Sequence, residues 1–225
     1  MNNKFFIICL AVIFFTLVTK AQWQQTNGPY GGPISCFVFS GNNIFAGSPY
    51  GGVFFSADNG NSWISVNNGL TDIQITSLVV IGTNIFAGTS SSGVFLSTND
   101  GGIWIPVNTG MTGYDLMITC LAINGTTIFA GTYNGIFSSS NSGESWIKKS
   151  YITSVRSILV SGTNIFAANY NGVYLSTNNG TSWTLKNTGL TSHNISCLAL
   201  SGSNIFAGTS NPAAGVFLST NNGAS

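Results

Sequence analysis

The stretch Gly52-Val53-Phe54-Phe55-Ser56-Ala57-Asp58-Asn59-Gly60-Asn61-Ser62-Trp63 decides the fold, because the chain carries five versions of it. It returns as Gly93-Val94-Phe95-Leu96-Ser97 leading to Gly101 and Trp104, then as Gly135-Ile136-Phe137 leading to Gly143 and Trp146. A fourth version runs from Gly172-Val173-Tyr174 to Gly180 and Trp183, and a fifth from Gly215-Val216-Phe217 to Gly223. The glycines at 60, 101, 143, 180 and 223 are spaced by 41, 42, 37 and 43 residues. A period near 40 with several short apolar strands per unit is the signature of a β-propeller.

One unit reads as a whole blade. Ile75 to Val80 is β-rich, Gly82-Thr83 turns it into Asn84 to Gly88, and a polar loop leads to Gly93 to Ser97. Asn99-Asp100-Gly101 then turns the chain into Trp104 to Val107. Four short strands joined by Gly- and Asn-rich turns make an antiparallel meander, and strands this apolar suit a sheet covered on both faces. The expected class is all-β, a propeller of four-stranded antiparallel blades with five repeats, part of a larger ring.

The third unit departs most. Its outer strand reads Trp146-Ile147-Lys148-Lys149, and it lacks the Asn-x-Gly-Leu exit seen at Asn67 to Leu70. Lys148, Lys149 and Arg156 are half of the six basic residues and read as a solvated patch. At the start, Trp23-Gln24-Gln25-Thr26-Asn27 aligns with the fourth strands at Trp63 and Trp183. That alignment predicts that Trp23 to Asn27 pairs outside Gly215 to Leu218 and closes the ring, removing a bare edge. The alternative is an open arc of a larger ring. The last motif stops at Ser225 before its tryptophan, which reads as a truncated reading frame.

Residues 1–21 read as a signal peptide. Met1 to Lys4 carries a positive charge, Phe5 to Val18 is apolar apart from Thr16, and Thr19-Lys20-Ala21 offers a cleavage site before Gln22. The apolar run is shorter than the roughly 20 residues that span a bilayer. The expected product is the propeller, residues 22–225, secreted or at the cell surface, with no membrane span. Only 5% of the residues of the full chain are charged and its net charge is +1, so nucleic acid is not an expected partner. Cys36, Cys120 and Cys197 occupy one slot of three repeats, too far apart for disulfides. They read as small buried residues.

Ser56 to Trp63 matches the Asp-box pattern Ser-x-Asp-x-Gly-x-Ser/Thr-Trp at each defined position. The versions at 139–146 and 176–183 carry Asn141 and Asn178 for Asp. The version at 97–104 has Asn99 and Ile103, and that at 219–225 keeps Asn221 and Gly223. The chain therefore resembles the Asp-box (BNR-like) propellers: bacterial sialidases, xyloglucan-degrading glycoside hydrolases, the sortilin ectodomain and the photosystem II assembly factor family. With its signal peptide and Asn-rich repeats it is most similar to exported repeat proteins of Bacteroidota-type bacteria. The resemblance implies that the box is a structural device away from the substrate face. Asp58, Asn99, Asn141, Asn178 and Asn221 are expected to accept turn N–H groups. Gly60, Gly101, Gly143, Gly180 and Gly223 supply φ > 0, while Trp63, Trp104, Trp146 and Trp183 pack between strands.

No catalytic set assembles. A sialidase needs three arginines, and Arg156 stands alone. Glycoside hydrolysis needs two flanking carboxyls; outside the boxes only Asp72 and Asp115 remain, and they read as solvated loop residues. His193 is the single histidine, so neither a zinc set nor a Ser-His triad forms. No cofactor and no metal is expected. The residues favour a non-catalytic exported module for binding, adhesion or scaffolding; a fragment of a carbohydrate-active propeller enzyme is the alternative.

Tyrosine places the binding face. Tyr30, Tyr114 and Tyr151 fall in or beside fourth-to-first connections, and Tyr50, Tyr133 and Tyr170 in second-to-third connections. These connections share one face, together with Asp72, Asp115 and His193, and suit a glycan or a protein surface. Tyr174, in a strand at the slot of Phe95, is expected in the core.

Overall fold

In the computed structural model, residues 23–212 and 214–223 are described; the expected signal peptide lies outside them. Five antiparallel sheets follow one another along the chain. Blade 1 holds β1 (Cys36–Ser40), β2 (Asn43–Ser48), β3 (Gly52–Ser56) and β4 (Ile64–Ser65). Blade 2 holds β5 (Ile75–Ile81), β6 (Asn84–Thr89), β7 (Val94–Ser97) and β8 (Ile105–Pro106). Blade 3 holds β9 (Ile118–Asn124), β10 (Thr127–Thr132), β11 (Gly135–Ser139) and β12 (Ile147–Ser150). Blade 4 holds β13 (Ser157–Ser161), β14 (Asn164–Asn169), β15 (Gly172–Ser176) and β16 (Thr184–Leu185). Blade 5 has three strands: β17 (Ile195–Ser201), β18 (Asn204–Thr209) and β19 (Val216–Ser219). Each sheet is a simple meander, as the repeat predicts.

The turn between third and fourth strands folds the same way each time. The Ser56 hydroxyl accepts from Gly60 N at 2.9 Å and donates to Asp58 Oδ1 at 2.8 Å, while Asp58 Oδ1 accepts from Ser62 N at 2.8 Å. Asn99, Asn141 and Asn178 accept from the amides of Ile103, Ser145 and Ser182 at 3.0, 3.1 and 2.9 Å. Left-handed φ falls on two consecutive residues, 57° at Asn59 and 85° at Gly60, so the turn asks for more than its glycine.

Neighbouring blades make the core between them. Phe45 and Val53 of blade 1 pack with Ile75, Leu78, Ile85 and Trp104 of blade 2. The fourth strand ends in a side-chain plug: Asn67 Oδ1 accepts from Val53 N at 2.7 Å and its amide donates to Gly51 O at 2.8 Å. Asn108 and Asn187 repeat the bond to Val94 and Val173. Gly69, at φ 92°, then lets the next blade approach so closely that a Cβ there would collide with Trp104 O.

Several expectations are corrected. Trp23 does not cover blade 5: it is 102% exposed, and Asn27 bridges in parallel to Ser62 of blade 1. The described residues form an open arc. Trp104 and Trp146 are buried, but Trp63 and Trp183 are only half-buried. Their indoles turn back to Gly60 O and Gly180 O, at 3.0 and 3.1 Å. Cys36, Cys120 and Cys197 are free, and Cys197 is exposed rather than buried because it faces the uncovered side of blade 5. Cys36, Cys120 and Cys197 each pair with a glycine across the sheet, Gly47, Gly131 and Gly208, which leaves room for the sulfur.

Candidate binding cleft

The six loop tyrosines are all exposed, and all sit at the end of the sheets opposite the repeated turns. They do not converge on one point. Tyr30 donates to Asn27 Oδ1 at 2.8 Å, and Tyr50 lies in the β2–β3 turn of the same blade. Tyr170 caps the β14–β15 turn of blade 4. Blade 3 gathers the other three. The Tyr114 and Tyr133 rings are 5.8 Å apart, and Lys148 Nζ sits 5.0 Å from the centres of both the Tyr151 and Phe137 rings.

Asp115 anchors this group and is buried, against the expectation of a solvated loop acid. It pairs with Lys148 Nζ at 3.1 Å and accepts from the Asn134 amide at 2.9 Å and from Thr112 N at 3.3 Å. Burial alone would raise its pKa, but these bonds and the lysine charge together bring it below the usual carboxylate range. Asp72 is likewise buried and braces the β6–β7 loop, accepting from Gln74 N, Ser91 N and Ser91 Oγ at 2.9, 2.9 and 2.7 Å. Its pKa is also lowered: the hydrogen bonds outweigh desolvation. Both aspartates are braces with few lone pairs to spare. His193 is exposed, and its carbonyl accepts from Ile195 N at 2.9 Å. The basic patch is engaged as well, since Arg156 donates to Asn194 Oδ1 at 2.6 Å and so ties blade 4 to blade 5.

A polar concavity lies beside Tyr151, at the irregular exit of blade 3. Where the blade 3 exit lacks its Asn-x-Gly-Leu, Ser150 stands at the position of Asn67 and Asn108, and no glycine follows it. β12 takes up the difference with a register shift opposite Ile136 and Phe137. The Trp183 indole stays against its own turn, and a cleft of about 450 Å³ opens between blades 3 and 4. Tyr151, Tyr174 and Trp183 line it beside Lys149, Asn171 and Ser182. Tyr174, expected in the core, is half-buried and forms part of this wall. Trp183 and Tyr174 carry only structural expectations from the sequence and Asn171 carries none, although the irregular third exit marks the place.

Among the described residues no cluster of three or more His, Cys, Asp or Glu side chains is placed to hold a metal ion. No helix among them is long and apolar enough to cross a membrane. No protein-family model and no curated protein matches the chain. Solved structures do. The extracellular domain of BT4673 from B. thetaiotaomicron, described as a one component system, superposes with a TM-score of 0.74 at 18% identity, over 87% of this chain and 28% of that one. An ancestral GH74 enzyme superposes with a TM-score of 0.63 at 22% identity, over 84% and 29% of the two chains. The GH74 enzyme of Niastella koreensis follows with 0.58 at 21% identity, over 83% and 29%. This chain thus spans under a third of each of these structures. At such identities the likeness establishes the propeller-type fold alone.

Proposed function

We propose that the chain is an exported, non-catalytic propeller module that binds glycans in the cleft between blades 3 and 4. One observation carries the proposal: three aromatic side chains, Tyr151, Tyr174 and Trp183, line an open cleft with Lys149, Asn171 and Ser182 among the polar groups. Aromatic rings suit the apolar faces of sugar rings, while the polar groups suit their hydroxyls. Export rests on the reading of residues 1–21 and is supported by the extracellular origin of the BT4673 likeness. The repeated turn geometry supports the Asp-box resemblance and gives the box a structural role.

Hydrolysis is the second reading, supported by the GH74 likeness. It needs one carboxyl to protonate the leaving group and another to attack or to activate water. Asp72 and Asp115 are the two outside the repeated turns and their flanks, and each is committed to loop bonds. Neither Asp72 nor Asp115 is a free, solvated carboxylate.

The test is retention on immobilised plant and bacterial polysaccharides, read with wild type, Trp183→Ala and Tyr151→Ala. Binding weakened at least tenfold by either substitution, measured well below the melting temperature of each folded variant, supports the cleft. Retention that ignores both substitutions moves the site elsewhere, with Tyr114 and Tyr133 the next to change. Release of reducing sugar that disappears in Asp72→Asn or Asp115→Asn favours the enzyme reading instead.

A further inference from the structure

Lys149 stands where the two preceding blades carry valine. Trp63, Trp104 and Trp146 are followed three residues later by Val66, Val107 and Lys149. Val66 and Val107 are partly buried against the cluster that holds the next blade's tryptophan, and each carbonyl accepts that indole at 2.7 Å. Between blades 3 and 4 the Trp183 indole donates to Gly180 O instead, at 3.1 Å. The Lys149 carbonyl therefore holds no indole, and the residue lines the cleft.

The lysine stem takes over the packing of the valines. Val66 and Val107 lie against Gly101 and Gly143, and Lys149 Cβ and Cγ lie against Gly180, 3.6 Å from the place of a Cβ there. Gly180 also holds the Trp183 indole, so the lysine stem and the aromatic ring meet at one turn. A lysine placed this way buries its methylenes and carries its charge outward. Among the described residues no hydrogen bond or ion pair engages Lys149 Nζ. Its basic neighbours differ: Lys148 pairs with Asp115 at 3.1 Å, and Arg156 donates to Asn194 at 2.6 Å.

No Asp or Glu lines the cleft. Asp72 and Asp115 are held by loop bonds, and Asp58, Asp100 and Glu144 belong to the repeated turns. A cation without an anion, set beside Tyr151, Tyr174 and Trp183, favours a ligand that brings its own negative charge. An ammonium is a point charge with rotatable donors, so a carboxylate and a sulfate suit it alike.

We propose that the cleft selects acidic polysaccharides: a carboxylate or sulfate on the sugar pairs with Lys149 while the apolar face of a sugar ring rests on the aromatic wall. This rests on the glycan reading of the cleft and narrows its ligand. Neutral polysaccharides make the ring contact alone and bind more weakly.

Isothermal titration with two matched pairs of polymers tests this, on the chain beginning at Gln22, its expected mature form. The pairs are polygalacturonate with its methyl ester and dextran sulfate with dextran; each shares a backbone and differs in charge. Lys149→Met keeps the stem against Gly180 and removes the charge, Lys149→Arg keeps the charge, and Lys186→Met removes an equal charge outside the cleft. Circular dichroism checks that each variant folds. At least one charged polymer should bind more tightly than its neutral partner, and the one that does tells carboxylate from sulfate. Lys149→Met should weaken that binding about tenfold, as for a lost hydrogen bond to a charged group. Raising salt from about 0.05 to about 0.5 M should weaken it too. Lys149→Arg and Lys186→Met should leave the preference in place. Equal losses in Lys149→Met and Lys186→Met overturn the proposal, because net charge then explains the binding. A protein that binds neither charged polymer overturns it as well. Binding that falls in Trp183→Ala but ignores Lys149→Met overturns the charge selection and leaves the glycan reading of the cleft standing. Binding that ignores both substitutions removes both.

Discussion

The indole Nε1 of Trp104 donates to the carbonyl of Val66, 2.7 Å away and one blade earlier in the chain. Trp146 and Val107 repeat the bond at 2.7 Å, and the backbones follow, with Trp104 N donating to Asn68 O at 2.8 Å. Each such tryptophan belongs to one blade and is held by its predecessor, so it works as an inter-blade bolt. Trp104→Ala should cost about 3–5 kcal/mol, as for other buried aromatics. Trp183→Ala, at a half-buried indole bonded within its own turn, should cost about 1–2 kcal/mol. Urea midpoints of the two variants measure the difference; equal midpoints would contradict the assignment.

Glycines at two turns separate crowding from backbone strain. Gly82, at φ 61°, faces open space, so Gly82→Ala should cost only the left-handed strain of about 1–2 kcal/mol. Gly69, at φ 92°, faces the Trp104 backbone, and Gly69→Ala must also push blade 2 away. It should destabilise more than Gly82→Ala and lower the protection of the Trp104 amide from hydrogen exchange.

Acid should loosen one repeated turn and spare the others. The Ser62 hydroxyl, the Ser62 amide and the Ser56 hydroxyl hold the Asp58 carboxylate below its ordinary pKa. A depressed folded-state pKa stabilises the fold fully above the unfolded value, and that contribution is lost as pH falls through the lowered one. Protection of the Ser62 amide should therefore drop below roughly pH 4. The turns built on Asn99, Asn141 and Asn178 carry amides that do not titrate, so Ile103, Ser145 and Ser182 should show no matching loss. Asp58→Asn should remove the difference.

Thiol labelling reads the open edge. Burial raises the Cys120 pKa to about 11 and pushes Cys36 up as well, while Cys197 lies exposed on blade 5. With the thiolate as the reactive form, iodoacetamide at mildly alkaline pH should modify Cys197 first and Cys120 last. Cys120 reacting as fast as Cys197 would show that blades 3 and 4 separate readily.

The repeated phrase by itself determined the five repeated sheets, the order of their strands and the bonding of each turn. All three depend on residues a few positions apart: Ser56, Asp58 and Gly60 close their turn wherever it stands, and alternating apolar strands demand covered sheets. The loops that carry tyrosine were equally legible, because a meander fixes which turns share an end. Tertiary structure alone decided what those residues meet. Asp72 and Asp115 look like free acids in the sequence, yet they brace loops through Ser91, Asn134 and Lys148, partners up to 33 positions away. Trp104 and Trp183 are the same letter in the same motif, but burial depends on the exit of the preceding blade. Gly69 admits one indole, and Ser150-Tyr151 leaves the other at the lip of a cleft. The place of Trp23 was decided in the same way: its register marks an outer strand, but only packing against Gly60 and Ser62 assigns that strand to the front of blade 1. Contacts between repeats join residues about 40 apart, and a local pattern cannot choose among equivalent seats.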